Sequence, residues 1–223
     1  MPDTASPNDI AMQSYYAARA PEYDRVYLKP ERQANLRRLE QWLPPLFTGR
    51  RVLEVACGTG YWTQFIAPVA AAMVALDTSA QTMAIAAQRV PAGRVEFLVG
   101  DAYALPTDRG VFDAAFAGFW LSHVPRQRQR EFLAGLGAAL APGATVVLID
   151  NRFVAGSNQP IVEQDAERNT WQARSLDDGS THRVLKNFPT EAELRASVEG
   201  LGEQVEYLAC EYYWALRYQV RTV

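Results

Sequence analysis

The segment with the clearest chemical potential is Val52-Leu-Glu-Val-Ala-Cys-Gly-Thr-Gly60, an apolar run that leads into two glycines. Glycines let the backbone approach a ligand closely and adopt turns that side chains forbid. Asp77 closes the next apolar run, where a carboxylate can accept hydrogen bonds from both hydroxyls of a ribose, and Asp101 closes the third. Because parallel strands end at one edge of a sheet, the pattern predicts a crevice for a ribose-containing ligand.

The loop after the fourth apolar run, Gly118-Phe-Trp-Leu-Ser-His-Val-Pro125, offers residues for a second ligand. His123 can take a proton from a hydroxyl, a thiol or a ring nitrogen, since imidazole titrates near neutral pH. Capping the next helix or holding the loop explains this histidine equally well. Asn151 and Arg152 follow the fifth run and can face the same pocket, although a solvated loop position suits Arg152 better.

Three tyrosines near the N-terminus are candidates for a lid over this pocket. Tyr15, Tyr16 and Tyr23 lie in a predicted helical region, where aromatic side chains more often serve packing than ligand contact. We expect acceptor contacts from two of these tyrosines and from the loops after the fourth and fifth runs. The predicted set is Tyr15, Tyr23, Phe119, Trp120, Asn151 and Arg152.

The elements that must position these residues alternate along the chain. Helical segments are predicted at residues 8–20 and 30–47, before the first strand. Five strands alternate with helices, which predicts a parallel, doubly wound sheet with right-handed crossovers. The predicted strands are residues 51–56, 73–77, 95–99, 112–117 and 145–150.

The C-terminal third breaks this alternation. Residues 170–176 and 181–186 flank Asp177-Asp178-Gly179, a turn signal that predicts a small β flap. Thr190 and Glu193 form a capping-box pattern for a helix to about residue 201, and two tightly joined strands follow at 205–210 and 213–220. The predicted divisions are a helical cap (1–48), a ligand-binding core (49–153), a β-flap insertion (154–188) and a C-terminal helix with a strand pair (189–223).

Composition excludes several classes of protein. The 223 residues contain 22 basic and 25 acidic side chains, a net charge of −3, so nothing draws the chain to nucleic acid or an anionic membrane. Two cysteines and two histidines are too few for a zinc cage or a disulfide framework, and we expect no metal. No signal peptide or membrane span is evident, which favours the cytoplasm.

The sequence resembles the class I S-adenosylmethionine (SAM)-dependent methyltransferases over residues 15–220, and within them the small-molecule members related to quinone biosynthesis. The resemblance implies a Rossmann-like, doubly wound, seven-stranded sheet that is mostly parallel, with a C-terminal antiparallel hairpin strand and an N-terminal helical cap. The matching segments are Leu53-Glu-Val-Ala-Cys-Gly-Thr-Gly60, Ala75-Leu-Asp-Thr78, Gly100-Asp-Ala-Tyr-Ala-Leu-Pro106, Phe112-Asp-Ala-Ala-Phe116 and the cap-like Ser14-Tyr-Tyr-Ala-Ala-Arg-Ala-Pro-Glu-Tyr-Asp24.

The same resemblance implies SAM as cofactor, S-adenosylhomocysteine (SAH) as product and a small-molecule acceptor. Phe119, Trp120 and Trp171 favour an aromatic acceptor. Methyl transfer then depends mainly on holding the acceptor in line with the S–CH₃ bond, an orientation worth ~7–11 kcal/mol. The implied contacts are Glu54, Ala56, Gly58 and Gly60 for the methionine part, Asp77 and Thr78 for the ribose, Asp101 and Ala102 for the adenine, with Tyr16 and Tyr103 also at the cofactor.

Two other functions remain open at this stage. A nicotinamide-dependent oxidoreductase also uses a strand, a glycine turn and an acidic residue, but here Thr63 stands where the third glycine belongs. A non-catalytic SAM-binding protein would carry the same motifs. A nucleic-acid amino-methylase is disfavoured because Ala117-Gly-Phe-Trp120 replaces the usual Asn/Asp-Pro-Pro-aromatic signature. The acceptor atom and the oligomeric state are left open by the sequence.

Overall fold

A seven-stranded sheet lies at the centre of the computed structural model, which describes residues 7–106 and 108–221. The N-terminal residues 1–6, on which the expectation of no signal peptide partly rests, lie outside the described residues. The strands of the seven-stranded sheet are β1 (Arg51–Val55), β2 (Ala72–Asp77), β3 (Glu96–Val99), β4 (Phe112–Gly118), β5 (Leu140–Asn151), β9 (Gly202–Ala209) and β10 (Tyr213–Val220).

The strand order is β3-β2-β1-β4-β5-β10-β9, with β1 to β5 parallel and β10 antiparallel to both of its neighbours. The predicted fold class is therefore confirmed. Strands β2 and β3 are added on one side of β1, and after β3 the chain crosses to the other side of β1 to form β4 and β5. The connections diverge beyond the carboxyl ends of β1 and β4, which is where open α/β sheets bind their ligands.

Helices cover both faces of the sheet. Neighbouring residues of β1 enter different apolar clusters: Leu53 packs in a cluster with Phe132, and Val52 in one with Leu39. This alternation follows from the two-residue period of a strand and places Glu54 on the same face as Val52. The helices are α1 (Pro7–Arg19), α2 (Gln33–Trp42), α3 (Thr63–Ile66), α4 (Ala80–Arg89), α5 (Arg126–Ala138) and α6 (Glu191–Ser197).

Helix α1 agrees with the predicted helix over residues 8–20, whereas the second N-terminal helix is shorter than predicted. The helix expected over residues 30–47 is divided into a 3₁₀ turn at Pro30–Arg32, helix α2, and a second 3₁₀ turn at Pro44–Phe47. Consecutive prolines at 44 and 45 explain the second break, because proline lacks the N–H of a helical hydrogen bond. No described helix has both the length and the apolar character that crossing a membrane requires.

The flap is a separate antiparallel sheet of three strands, β6 (Ile161–Gln164), β7 (Thr170–Ser175) and β8 (Thr181–Leu185). The sequence predicted β7 and β8, whereas β6 is an additional strand. All four β6 residues are exposed, so this strand lacks the alternation that identifies a half-buried strand. Tyr15 of α1 packs on the flap in a cluster with Trp171 and Val184, which joins the cap to the flap.

A buried lysine fastens the base of the flap to the central sheet. Lys186 follows β8, and its Nζ atom donates to Asp150 Oδ1 at 2.8 Å and to Ser122 Oγ at 2.6 Å. The Lys186 and Asp150 side chains are 4% and 0% exposed. Burial lowers the pKa of Lys186 to about 8, and Asp150 opposes this change. The ion pair holds the flap over the carboxyl ends of β4 and β5.

Replacing Lys186 by methionine should destabilise the protein strongly, because Asp150 would keep a buried charge without a cation. Breaking such a pair from one side costs about 3–5 kcal/mol. Denaturant unfolding measures the difference in free energy. Glu206→Ala is the matched control: it breaks the exposed pair with Arg217, worth about 0–1 kcal/mol. Equal stabilities of the two variants would contradict an anchoring role for Lys186.

Candidate active site

The turn after β1 is shaped by residues with left-handed backbone. Ala56, Gly58 and Gly60 have φ values of 56°, 55° and 76°. A Cβ atom on Gly60 would lie 2.7 Å from Ala86 Cβ and 2.8 Å from Ala86 Cα, so only glycine lets α4 pack against the turn. A Cβ atom on Gly58 would meet nothing within 4 Å. The turn is therefore closed against α4 at Gly60 and open beside Gly58.

Asp77 joins the end of β2 to this turn. Its Oδ2 atom accepts the Gly58 N–H at 2.8 Å, and its Oδ1 atom accepts the Ser79 N–H at 2.9 Å. Burial raises the pKa of Asp77, and these N–H groups oppose that rise. A carboxylate has about four acceptor positions, so lone pairs remain for further donors such as hydroxyls. Thr78, next in the chain, is exposed.

Glu54 is a buried carboxyl group beside the same turn. Its side chain lies in β1 at 1% exposure, and its Oε2 atom accepts the Thr63 hydroxyl at 2.6 Å. Burial raises the pKa of Glu54 to about 8; the nearby Asp77 adds to this, and the Thr63 hydrogen bond opposes it. Among the residues that the structure describes, no ion pair joins Glu54 to a basic side chain. This environment favours the approach of a cation.

The turn after β3 completes the cofactor side of the crevice. Asp101 is exposed, and its Oδ1 atom accepts the Tyr103 N–H at 3.0 Å. Ala102 is buried at 6% exposure in the apolar cluster that contains Leu76 of β2. The Tyr103 ring lies 6.5 Å from the Trp120 ring, edge to face. The structure thus places the turns after β1, β2 and β3 side by side along one sheet edge.

His123 has both ring nitrogens engaged. Nδ1 lies 2.6 Å from the Leu185 carbonyl oxygen, and Nε2 lies 2.8 Å from the Tyr16 hydroxyl. A carbonyl only accepts, so we assign the ring proton to Nδ1 and the role of acceptor to Nε2. Burial, followed by the charges of Lys186 and Arg174, lowers the pKa of His123 well below its ordinary value. The imidazole is therefore neutral at physiological pH.

The tyrosines of the cap form a connected aromatic cluster above the loop after β4. Tyr16 lies 4.9 Å from Tyr15, 5.9 Å from Tyr23 and 5.4 Å from His123, measured between ring centroids. Tyr15 is 2% exposed, so most of its ring serves cap–flap packing. Burial raises the pKa of Tyr16 and of Tyr23, which keeps both phenols protonated. Trp120 is partly buried against the same cluster as Tyr15.

Phe119 and Asn151 are held by contacts within the fold. Phe119 has left-handed backbone, with φ of 60°, and is 6% exposed. Its ring stacks between Tyr27 and Tyr213, with centroids 5.6 Å away on each side. The Oδ1 atom of Asn151 accepts a hydrogen bond from Nη1 of buried Arg32 at 2.8 Å. Both side chains are therefore buried and engaged by other residues of the fold, so their predicted contacts with an acceptor remain predictions.

Arg152 and Trp171 are also engaged by contacts within the fold. Arg152 is exposed, and its Nη1 atom donates to the Cys210 carbonyl at 2.8 Å. Trp171, 5% exposed, lies under the guanidinium of Arg183, which is 3.5 Å from the ring centroid. Of the three ring systems that favoured an aromatic acceptor, Phe119 and Trp171 are therefore buried in packing contacts, whereas Trp120 is partly buried.

Sequence reasoning missed the basic side chains that surround His123. Arg174 of β7 approaches the Tyr16 hydroxyl, and Arg19 ends helix α1 beside Tyr23. Neither residue belongs to a local motif, because the flap and the cap meet only in the folded chain. The one sequence signal for Arg174 was the two-residue period of a strand, which places Arg174 on the same face of β7 as Gln172, a residue that is buried.

Comparisons with known proteins agree with this geometry. A family model described as a methyltransferase domain matches residues 52–143. The demethylmenaquinone methyltransferase of Lactiplantibacillus plantarum is 30% identical over 163 residues, which is 68% of this chain and 66% of that protein. The chain thus spans just under two thirds of that curated relative.

Two solved structures resemble the chain over nearly its whole length. A DhpI–SAH complex is 31% identical, with a TM-score of 0.80, and the match covers 98% of this chain and 100% of the other. A DhpI–SAM–HEP complex is 32% identical, with a TM-score of 0.77, covering 96% and 99%. The matches give no support to the nicotinamide-dependent alternative. The chain belongs to the SAM-dependent methyltransferases of class I.

Proposed function

We propose that the protein transfers the methyl group of SAM to a small molecule held between the cap tyrosines and the loop after β4. The observation that carries this proposal is the Tyr16–His123 hydrogen bond, which brings the cap onto the ligand edge of the sheet. Cap and flap cover this edge, so an acceptor bound beneath them is shielded from water. Shielding matters because water competes as a nucleophile and screens charge.

The residues at the sheet edge fit the parts of SAM. The open space at Gly58 admits a ligand against the backbone, and the spare lone pairs of Asp77 suit the ribose hydroxyls. The uncompensated carboxyl group of Glu54 suits the positively charged methionine part. Asp101 and Ala102 remain for the adenine. When bound, SAM supplies a methyl group already activated by the sulfonium, so that the protein has to align the acceptor.

For His123 we propose a positioning role rather than a general-base role. A proton accepted at Nε2 would create an imidazolium beside two existing cations, Lys186 and Arg174, in a buried site. The neutral ring instead fixes the Tyr16 hydroxyl, which faces the acceptor region. An acceptor atom with a low pKa needs no protein base and gains its rate from alignment.

Asp77→Ala should weaken binding of SAM and SAH by one to a few decades. Each charge-assisted hydrogen bond to a ribose hydroxyl contributes ~1.5–3 kcal/mol, and a decade in the dissociation constant corresponds to about 1.4 kcal/mol. Isothermal titration calorimetry measures the change. Asp108→Ala removes an exposed carboxylate beyond the site and should leave the affinity unchanged. A folded Asp77→Ala protein with wild-type affinity would remove Asp77 from the site.

Binding of SAM at about pH 7 should release a proton from Glu54. The free protein holds Glu54 with a pKa of about 8, hence mostly protonated, and a nearby cation favours the charged carboxylate. Calorimetry in two buffers of different ionisation enthalpy gives the number of protons released. Glu54→Gln should release fewer, by roughly one proton for each SAM bound. Identical proton release by the two proteins would contradict this role.

Once an acceptor is known, Tyr16→Phe and His123→Ala should lower single-turnover rates by a similar factor, about tenfold or more. Because the pKa of His123 is low, the wild-type rate should show no rise from imidazole deprotonation between about pH 6 and 9. SAH affinity should stay the same in His123→Ala. A wild-type rate that rises with pH and loses this dependence in His123→Ala would instead establish His123 as the base.

A further inference from the structure

Two arginines from different parts of the chain converge on the cap tyrosines. Arg19 lies at the end of α1, and its Cζ atom is 5.1 Å from the ring centroid of Tyr23 and 5.7 Å from that of Tyr15. Arg174 lies in β7 of the flap, and its Nη1 atom is 3.3 Å from the Tyr16 hydroxyl. Tyr15 and Tyr16 are in contact, so the two guanidinium groups flank one aromatic cluster.

Arg174 is held in place by neutral groups. Its Nε and Nη2 atoms donate to Gln172 Oε1 at 3.2 and 2.8 Å. Gln172 is itself buried and donates to the Gln159 carbonyl, which fixes its orientation. These contacts orient the guanidinium without cancelling its charge. In the part of the chain that the structure describes, no carboxylate forms an ion pair with Arg174.

The Arg19 guanidinium is also without a carboxylate partner among the described residues, where it contacts the faces of two aromatic rings. Other arginines of the cap and flap differ. Arg25 pairs with Asp177, and Arg183 pairs with Glu163, both at the protein surface. Carboxylates are thus available to surface arginines, while the arginines around Tyr16 have none. Uncompensated charge in a partly buried place is costly unless a ligand compensates it.

Both arginines lie near Asp77 and the loop after β4, through Tyr23 and Tyr16. Tyr23 interacts electrostatically with Asp77 as well as with Arg19 and Arg174. Tyr16 connects Arg174 to His123. Two other cations of this region have acidic partners: Lys186 pairs with Asp150, and Arg89 pairs with Asp24, the residue after Tyr23. Arg19 and Arg174 therefore leave two positive charges beside Tyr16 and Tyr23 without a carboxylate partner among the described residues.

We propose that Arg19 and Arg174 form a subsite for an anionic group of the methyl acceptor, a carboxylate or a phosphoryl group. This inference rests on the proposed function, because it names the class of molecule that occupies the acceptor side. Guanidinium groups present parallel N–H donors that match the paired oxygens of either anion. The phenol of Tyr23, kept protonated by burial, adds a neutral donor beside them. A neutral aromatic acceptor has no negative charge to compensate the two guanidinium groups.

Calorimetry with simple anions tests the subsite. Inorganic phosphate and acetate are titrated into the protein in a zwitterionic buffer of low salt, with and without saturating SAH. Acetamide, the neutral counterpart of acetate, serves as the control ligand. We expect saturable binding of at least one anion and none of acetamide. The preferred anion identifies the group as phosphoryl or carboxylate.

Two variants connect this binding to the arginines. Arg174→Gln and Arg19→Gln should each weaken anion binding at least tenfold. Arg195→Gln, which removes an exposed cation of α6 paired with Glu191, should leave it unchanged. Melting temperature and SAH affinity report whether Arg174→Gln keeps its fold. Arg19→Gln breaks no side-chain hydrogen bond among described residues, so it provides the test if the other variant unfolds.

The possible outcomes separate this inference from the function it rests on. Absence of saturable anion binding by the wild type, or equal anion binding by all variants, overturns the subsite. Failure to bind SAM or SAH would overturn the proposed function instead, and anion binding by the protein alone would still report on the arginines. Anion binding that weakens in both arginine variants, with SAH affinity unchanged, supports the subsite.

Discussion

The hydrogen bond from the Gly58 amide to the Asp77 carboxylate joins the ends of the two strands on which the cofactor side depends. This hydrogen bond is possible because β1 and β2 are parallel neighbours, so that both strands end at the same edge of the sheet. Gly60 then lets α4 pack directly on the turn. The backbone amides of the turn, the Asp77 carboxylate and the N-terminus of α4 thereby form one connected unit at this edge of the sheet.

The sequence was sufficient for this part of the structure because its determinants are local. Continuous apolar runs identified β1, β2, β4 and half of β5, and the Thr190–Glu193 capping box marks the start of α6, as observed. Strand β6 escaped detection because its exposed residues carry no hydrophobic period. The break of the helix before β1 follows from proline chemistry and was overlooked in favour of the apolar pattern.

The acceptor side could not be derived in the same way, because its determinants are distant in sequence. His123 owes its low pKa to burial and to cations of the flap, and its hydrogen-bond partners are 107 and 62 residues away. The left-handed backbone of Phe119, which turns its ring into the core, has no signature in a non-glycine residue. Predicted roles for the residues around His123 therefore remain predictions, whereas the family rests on matches along the chain.

The two ends of the flap are held with unequal strength. At its base, the Lys186–Asp150 pair is buried, and losing one partner costs about 3–5 kcal/mol. At its tip, Arg25 and Asp177 meet with 61% and 64% of their side chains exposed, an arrangement worth about 0–1 kcal/mol. The ion pair at the tip is therefore much weaker than the ion pair at the base. Added salt weakens the exposed Arg25–Asp177 pair at the tip, whereas the buried Lys186–Asp150 pair at the base is screened much less.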